Sequence, residues 1–245
     1  MQRGGCLCAL PPERVVEVGA RAALEWVLVN GRAVIFDLGG VVLQSPLTVV
    51  SEFAAAEDVP LDAVARVFRS SGPDGPWQRL ERGELSTAEV IAAFDAAAWD
   101  AGTPFSTEDL LRALETGMCP RPMVVGTIRT LRARGFAVAA LTNNWDCGPQ
   151  MRATLEALRP EFDVFIESWR VGMRKPEPGI YSHVLAALDV TAEHAVFLDD
   201  FAENVQAARD MGMQVVLVQD IREALVALDR LLSGPDCNNS GADSE

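Results

Sequence analysis

Ala195-Val196-Phe197-Leu198-Asp199-Asp200 is an unbroken apolar run that stops on two adjacent carboxylates. A short apolar run bounded in this way reads as a buried strand. Two carboxylates side by side in a partly desolvated cleft repel each other. A divalent cation relieves that cost, and hard oxygen ligands suit Mg²⁺. The same design occurs twice earlier in the chain. Val34-Ile35-Phe36 runs into Asp37-Leu38-Gly39-Gly40, and Ala140-Leu141 runs into Thr142-Asn143-Asn144. In an open parallel sheet, ligands bind outside the carboxyl ends of the strands. Asp37, Thr142 and the Asp199–Asp200 pair are therefore expected in one crevice, with Arg174-Lys175-Pro176 supplying positive charge.

Working outward, the first 32 residues carry a modest helical pattern that ends at the turn signal Asn30-Gly31. They read as an N-terminal extension of no assigned role. A strand is expected over Ala33 to Asp37. From residue 45 to 119 the pattern is helical without strands. Leu61, Val64, Ala65 and Phe68 share one helix face, as do Val90, Ile91 and Phe94. Ser86 and Glu89 have the spacing of a capping box. This block reads as a helical cap inserted after the first strand.

From Met123 strands and helices alternate. Val124, Ile128 and Leu131 mark a helix, and strands are expected over Phe136–Leu141, Asp163–Ile166, Ala195–Leu198 and Gln214–Val218. Helices are expected over Met151–Leu158, over Gly179–Leu188, after strand Ala195–Leu198 as far as Met211, and through Ile221, Leu225, Leu228 and Leu232. Such alternation means an α/β fold with a doubly wound parallel sheet. The expected Rossmann-like core comprises residues 33–44 and 120–233. The polar stretch 234–245 reads as a disordered tail.

The chain has 245 residues, of which 49% are hydrophobic, enough for a substantial core. A formal net charge of −14 disfavours nucleic acid and anionic membranes as partners. It leaves room for a small phosphorylated substrate, because a metal or a local cation can reverse the field inside one cleft. No apolar run is long enough for a membrane-spanning helix, and the first ten residues make a poor secretory signal. Cys6, Cys8, Cys119, Cys147 and Cys237 lack a zinc-ligand spacing, so free thiols in a reducing cytoplasm are expected. Cys147 follows the Thr142 strand end but has no neighbouring histidine, and reads as a structural thiol.

Each site residue also has a plainer reading when taken alone. Asp37 before two glycines could form an Asx turn. Thr142-Asn143-Asn144 could cap a helix, and Lys175 could be a solvated surface lysine. The prolines around Lys175 bias their preceding residues to extended backbone and so fix its direction. Asn204, four residues after Asp200, is placed to buttress the carboxylate pair through a hydrogen bond.

Together and in this order, these residues resemble the haloacid dehalogenase superfamily, mostly Mg²⁺-dependent phosphatases that act through an aspartyl-phosphate. The resemblance covers Ala33 to Leu232 and is sharpest in Phe165–Pro178 and Phe197–Asp200, with Leu141–Trp145 alongside. It implies that Asp37 is the nucleophile and also binds Mg²⁺. It further implies that the Gly39 carbonyl and Asp200 complete the protein ligands, and that Asp199 orients waters nearby. Thr142 and Asn143 should hold the transferring phosphoryl group, and Lys175 should neutralise charge on it and on Asp37. Phosphoryl transfer asks mainly for positioning and positive charge around the equatorial oxygens, which agrees.

One position departs from the pattern. Most phosphatases of the superfamily carry a second aspartate two residues after the nucleophile, as a proton shuttle; here that residue is Gly39. General acid–base catalysis typically contributes ~10²–10⁴-fold, roughly 3–5 kcal/mol of barrier. The expected activity is hydrolysis of a small phosphoric monoester. The alternatives are a member that binds a phosphorylated ligand without turnover, and a metal-independent dehalogenase. The Asp199–Asp200 pair argues against the latter.

Overall fold

A computed structural model of the chain describes residues 32–69 and 72–233. Five strands form one parallel sheet among these residues: β1 (Ala33–Phe36), β2 (Ala137–Thr142), β3 (Val164–Glu167), β4 (Ala195–Asp199) and β5 (Gln214–Leu217), in the order β3-β2-β1-β4-β5. Strands β1, β2 and β4 are buried along their whole length. A parallel strand covered on both faces has no polar side to show, which is why these segments read as continuous apolar runs.

Alternate residues serve two separate cores. Val34, Phe36, Val138, Ala140, Val196 and Leu198 face one. Ile35, Ala139, Leu141 and Phe197 face the other, against Ile180, Tyr181 and Val184.

Register aligns the strand ends. Phe36 pairs with Ala140 on one side and Leu198 on the other, and Asp37 N–H donates to Leu198 O at 2.9 Å. Several limits differ from the sequence expectation by a residue. Strand β1 stops at Phe36, β2 extends through Thr142, and β3 and β4 extend through Glu167 and Asp199. Cross-strand pairing decides these limits: Thr142 pairs with Glu167, and Asp199 with Leu217.

Between β1 and β2 the described chain is helical: α1 (Pro46–Ala56), α2 (Leu61–Arg69), α3 (Pro76–Glu81), α4 (Thr87–Asp100), α5 (Thr107–Gly117) and α6 (Pro122–Ala133). Ser86 and Glu89 form the expected capping box at the start of α4. The connections to and from this insert run side by side. Gln44 N–H donates to Cys119 O at 2.9 Å, and Arg121 N–H to Val42 O at 2.8 Å.

The remaining helices cover the sheet: α7 (Pro149–Leu158), the short α8 (Ser168–Val171), α9 (Pro178–Leu188), α10 (Ala202–Asp210) and α11 (Ile221–Leu232). No described helix is long and apolar enough to cross a membrane. The expected extension and tail lie outside the described residues, apart from Arg32. Its guanidinium donates to the carbonyls of Leu231 and Leu232, which ties the start of β1 to the end of α11.

Candidate active site

The site grows from the ends of β1 and β4. After Asp37 the chain turns back through the two glycines, whose backbone angles are non-helical, and Leu43 N–H closes the turn onto Leu38 O at 2.7 Å. Gly40 has φ +81° there, and a Cβ on it would overlap the Asp200 carboxylate. Glycine both reaches that left-handed backbone and clears the space. Gly39 has ordinary extended angles, φ −66° and ψ 125°.

Lys175 comes from the loop before α9, and its Nζ is the centre of the cluster. It donates to Asp37 Oδ1 at 2.7 Å and to Asp199 Oδ2 at 2.6 Å. The lysine is 1% exposed and Asp199 is fully buried. Asp199 Oδ1 also accepts from Phe201 N–H at 2.8 Å, and Asn204 Nδ2 donates to both its oxygens at 3.0 and 3.1 Å. Asn204 is held in turn by Tyr181, whose hydroxyl donates to the Asn204 carbonyl at 2.9 Å. Asp199 is thus locked by protein donors, whereas Asp200 Oδ1 is buried with no hydrogen-bond partner.

Ligand atoms of Asp37, Asp199 and Asp200 lie within 4.8 Å of one another. Three carboxylates around one ammonium leave excess negative charge once all are ionised. Burial pushes Asp37 up to about 8; Lys175 pulls against this, while Asp199 and Asp200 add to it. Burial, then Asp199, pushes Asp200 up to about 6. Burial disfavours the Lys175 ammonium, yet Asp199 and Asp37 outweigh it and hold its pKa above the ordinary lysine value. An unpartnered buried oxygen beside a carboxylate cluster is a high-energy arrangement unless a cation arrives. Asp37, Asp200 and the adjoining backbone therefore suit a hard divalent ion.

Thr142 ends β2 and is buried. The side-chain amide of Asn143 is engaged with the lysine segment. Its Nδ2 donates to Lys175 O at 2.9 Å, and its Oδ1 accepts from Lys175 N–H at 2.8 Å. It therefore clips the lysine's main chain to the end of β2. Asn144 turns away toward Ser168 and Glu167.

Sequence reasoning did not find the Lys175–Asp199 contact, nor the Glu81–Arg174 pair at 2.6 Å, which brings the helical insert to the lysine segment. Neither pair leaves a local pattern, since 24 and 93 residues separate the partners. Trp77, in the insert, packs its ring on Phe68 and Phe94 and also on Trp145, so it belongs to the insert's core and to its seam with the sheet domain.

Residues 32–212 match the family model described as haloacid dehalogenase-like hydrolase. The chain belongs to that family. It is 32% identical over 221 residues to acyl-CoA dehydrogenase family member 10 of Mus musculus, covering 88% of this chain and 21% of the relative. It is 35% identical over 214 residues to bifunctional epoxide hydrolase 2 of Rattus norvegicus, covering 82% of this chain and 38% of the relative. The chain thus spans well under half of the length of these relatives. Among solved structures, the haloacid dehalogenase-family enzyme bt-2542 of Bacteroides thetaiotaomicron, in complex with magnesium and inorganic phosphate, is similar in fold. Its TM-score is 0.55 at 18% identity, over 76% of this chain and 93% of that one.

Proposed function

We propose that this haloacid dehalogenase-like hydrolase is a Mg²⁺-dependent phosphatase of small phosphoric monoesters. The observation that carries the reading is the carboxylate cluster itself. Three carboxylates lie together, two of them on one ammonium, with Asp200 Oδ1 buried and unpartnered. Asp37, Asp200 and the Gly39 carbonyl would hold the cation, which when bound neutralises the cluster and the phosphoryl oxygens. A metal-free dehalogenation leaves that excess negative charge unbalanced. The bound magnesium and phosphate of the fold neighbour bt-2542 agree with the metal-dependent reading.

Asp37 attacks phosphorus; the P–O bond to the leaving group breaks, and the departing oxygen takes a proton from solvent. Water then attacks the aspartyl-phosphate, releasing inorganic phosphate and regenerating the carboxylate. Lys175 keeps Asp37 in line through the bond to Oδ1 and offsets charge as it builds on the equatorial oxygens. Asp199, fixed by Asn204 and Phe201 N–H, holds the ammonium from the opposite side. Thr142 lies at the end of the neighbouring strand, where a hydroxyl can meet the phosphoryl group. The helical insert acts as a cap over the strand ends.

The test is a phosphatase screen over a broad panel of phosphate esters with and without Mg²⁺, together with thermal unfolding. Turnover only with Mg²⁺, abolished in Asp37→Asn, is expected. Mg²⁺ should also raise Tm, as a ligand of the native state does, and Asp200→Asn should remove that increment. A Tm increment without turnover of any ester would instead select a binding member, the reading that Gly39 favours. Turnover that persists in chelator would overturn the metal assignment.

A further inference from the structure

The segment Arg174–Glu177, which carries the lysine, is gripped from two sides. On the sheet side the Asn143 amide clips both the Lys175 N–H and its carbonyl. On the other side stand α3 and the turn that follows it. Arg174 Nε donates to Glu81 Oε2 at 2.6 Å, and the two side chains are 15% and 8% exposed. Arg82 Nη1 donates to Glu177 Oε1 at 3.0 Å, while the other Glu177 oxygen accepts from Arg174 N–H at 3.1 Å. Arg82 is held rigid by Glu84 at 2.7 Å, Asp74 at 3.3 Å and the Pro73 carbonyl at 3.3 Å.

The backbone takes part as well. Gly83 has φ +70°, and a Cβ on it would come 2.5 Å from the Trp169 carbonyl, so the insert's main chain lies directly against α8. One turn before Glu81, the Trp77 ring meets Trp145 with centroids 5.2 Å apart.

An exposed ion pair would be worth little. The Glu81–Arg174 pair is shielded, and the Arg82 side of the second pair is 11% exposed although Glu177 is 39% exposed. The two pairs join residues 93 and 95 apart in sequence and meet on the four residues that aim the catalytic ammonium. Separating a buried pair leaves an uncompensated charge on each side. Lifting the insert therefore breaks both contacts together and frees the lysine segment on that face.

We infer that Glu81 and Arg82 are positioning residues for Lys175, so that closure of the helical insert sets the lysine ammonium against Asp37. The inference deepens the proposed phosphatase reading and rests on it for its kinetic consequence. The test uses the full chain with Mg²⁺, comparing wild type, Glu81→Gln, and the exchanged pair Glu81→Arg with Arg174→Glu. Amide exchange at Lys175 is read alongside kcat and KM for p-nitrophenyl phosphate.

In Glu81→Gln, Lys175 amide exchange should rise and kcat should fall, each by about tenfold, with KM little changed. Exchange in β4 should stay the same, and the exchanged pair should recover most of both losses. Should Glu81→Gln not fold, Arg82→Lys, which loses the fork to Glu84, Asp74 and Glu177, is read in the same way. Unchanged Lys175 exchange, or a change no larger than that in β4, overturns the inference. If wild type hydrolyses no ester, the phosphatase reading fails, and the exchange measurement alone decides the coupling.

Discussion

Gly40 lies directly beneath the carboxylate of Asp200, with φ +81° and no room for a side chain. Gly40→Ala should therefore displace the proposed metal ligand. The left-handed backbone alone costs roughly 1–2 kcal/mol for an L-residue, and the overlap with Asp200 adds to it. The expected outcome is a lower Tm without metal and loss of the Mg²⁺-induced increment. A normal Mg²⁺ response in Gly40→Ala would show that Asp200 is free to move or is not a ligand.

Lys175→Met should leave three carboxylates with no ammonium between them. Removing one partner of a buried pair costs about 3–5 kcal/mol, measurable as a fall in urea midpoint in metal-free buffer. The sign of the pH dependence follows from raised carboxylate pKa values: the native state holds protons that the unfolded chain has lost. Stability from such groups is present at low pH and disappears as pH rises through the folded values, about 6 for Asp200 and about 8 for Asp37. Lys175 lowers both values, so its loss raises them further, and the deficit of the mutant should grow as pH rises above about 6. A deficit independent of pH would show that the lysine acts through packing alone.

Gly39→Asp should supply the missing proton donor. A Cβ at Gly39 meets only Pro46, at 3.4 and 3.6 Å, and the backbone angles suit any residue. The wild-type protein is expected to hydrolyse aryl or acyl phosphates more readily than sugar or glycerol phosphates, because the former leave without a proton. Gly39→Asp should narrow the difference in kcat/KM by ~10²-fold or more. Fast wild-type turnover of alkyl phosphates, with no gain in the mutant, would mean that another group already moves the proton.

Cys147 should resist alkylation in the folded protein. Burial, followed by the Glu115 carboxylate, pushes its thiol up to about 11, so little thiolate forms at neutral pH. Iodoacetamide labelling mapped by mass spectrometry should modify Cys119, which is only half-buried, well before Cys147. Labelling of Cys147 should climb about tenfold per pH unit until near that value. Rapid modification at pH 7 would contradict the buried placement.

The strand ends were legible because burial on both faces leaves only one polar residue per strand to notice, as Phe36-Asp37 and Leu198-Asp199 illustrate. Gly40 was legible as a glycine, but the reason for it, the Asp200 carboxylate above, comes from β4 and not from its own neighbours. The bond from the Asn143 amide to the Lys175 main chain was not legible, because it spans 32 residues and side-chain type carries no such address. Strand limits shifted by a residue for a related reason, since pairing across the sheet sets them. The partners of Glu81 and Arg82 lie 93 and 95 residues away, and only the docking of the insert brings them together.

Gln44 and Cys119 flank the helical insert and share a backbone hydrogen bond. To the polymer, everything between them is a loop whose ends already touch. Closing such a loop grows more costly only with the logarithm of its length, about 0.6 kcal/mol for each doubling. The residues in between can therefore lengthen or shrink at small entropic cost while Asp37, Asp199 and Asp200 keep their places at the ends of β1 and β4. What such changes must keep is the pair of contacts, Glu81 to Arg174 and Arg82 to Glu177, that joins the insert to the lysine segment.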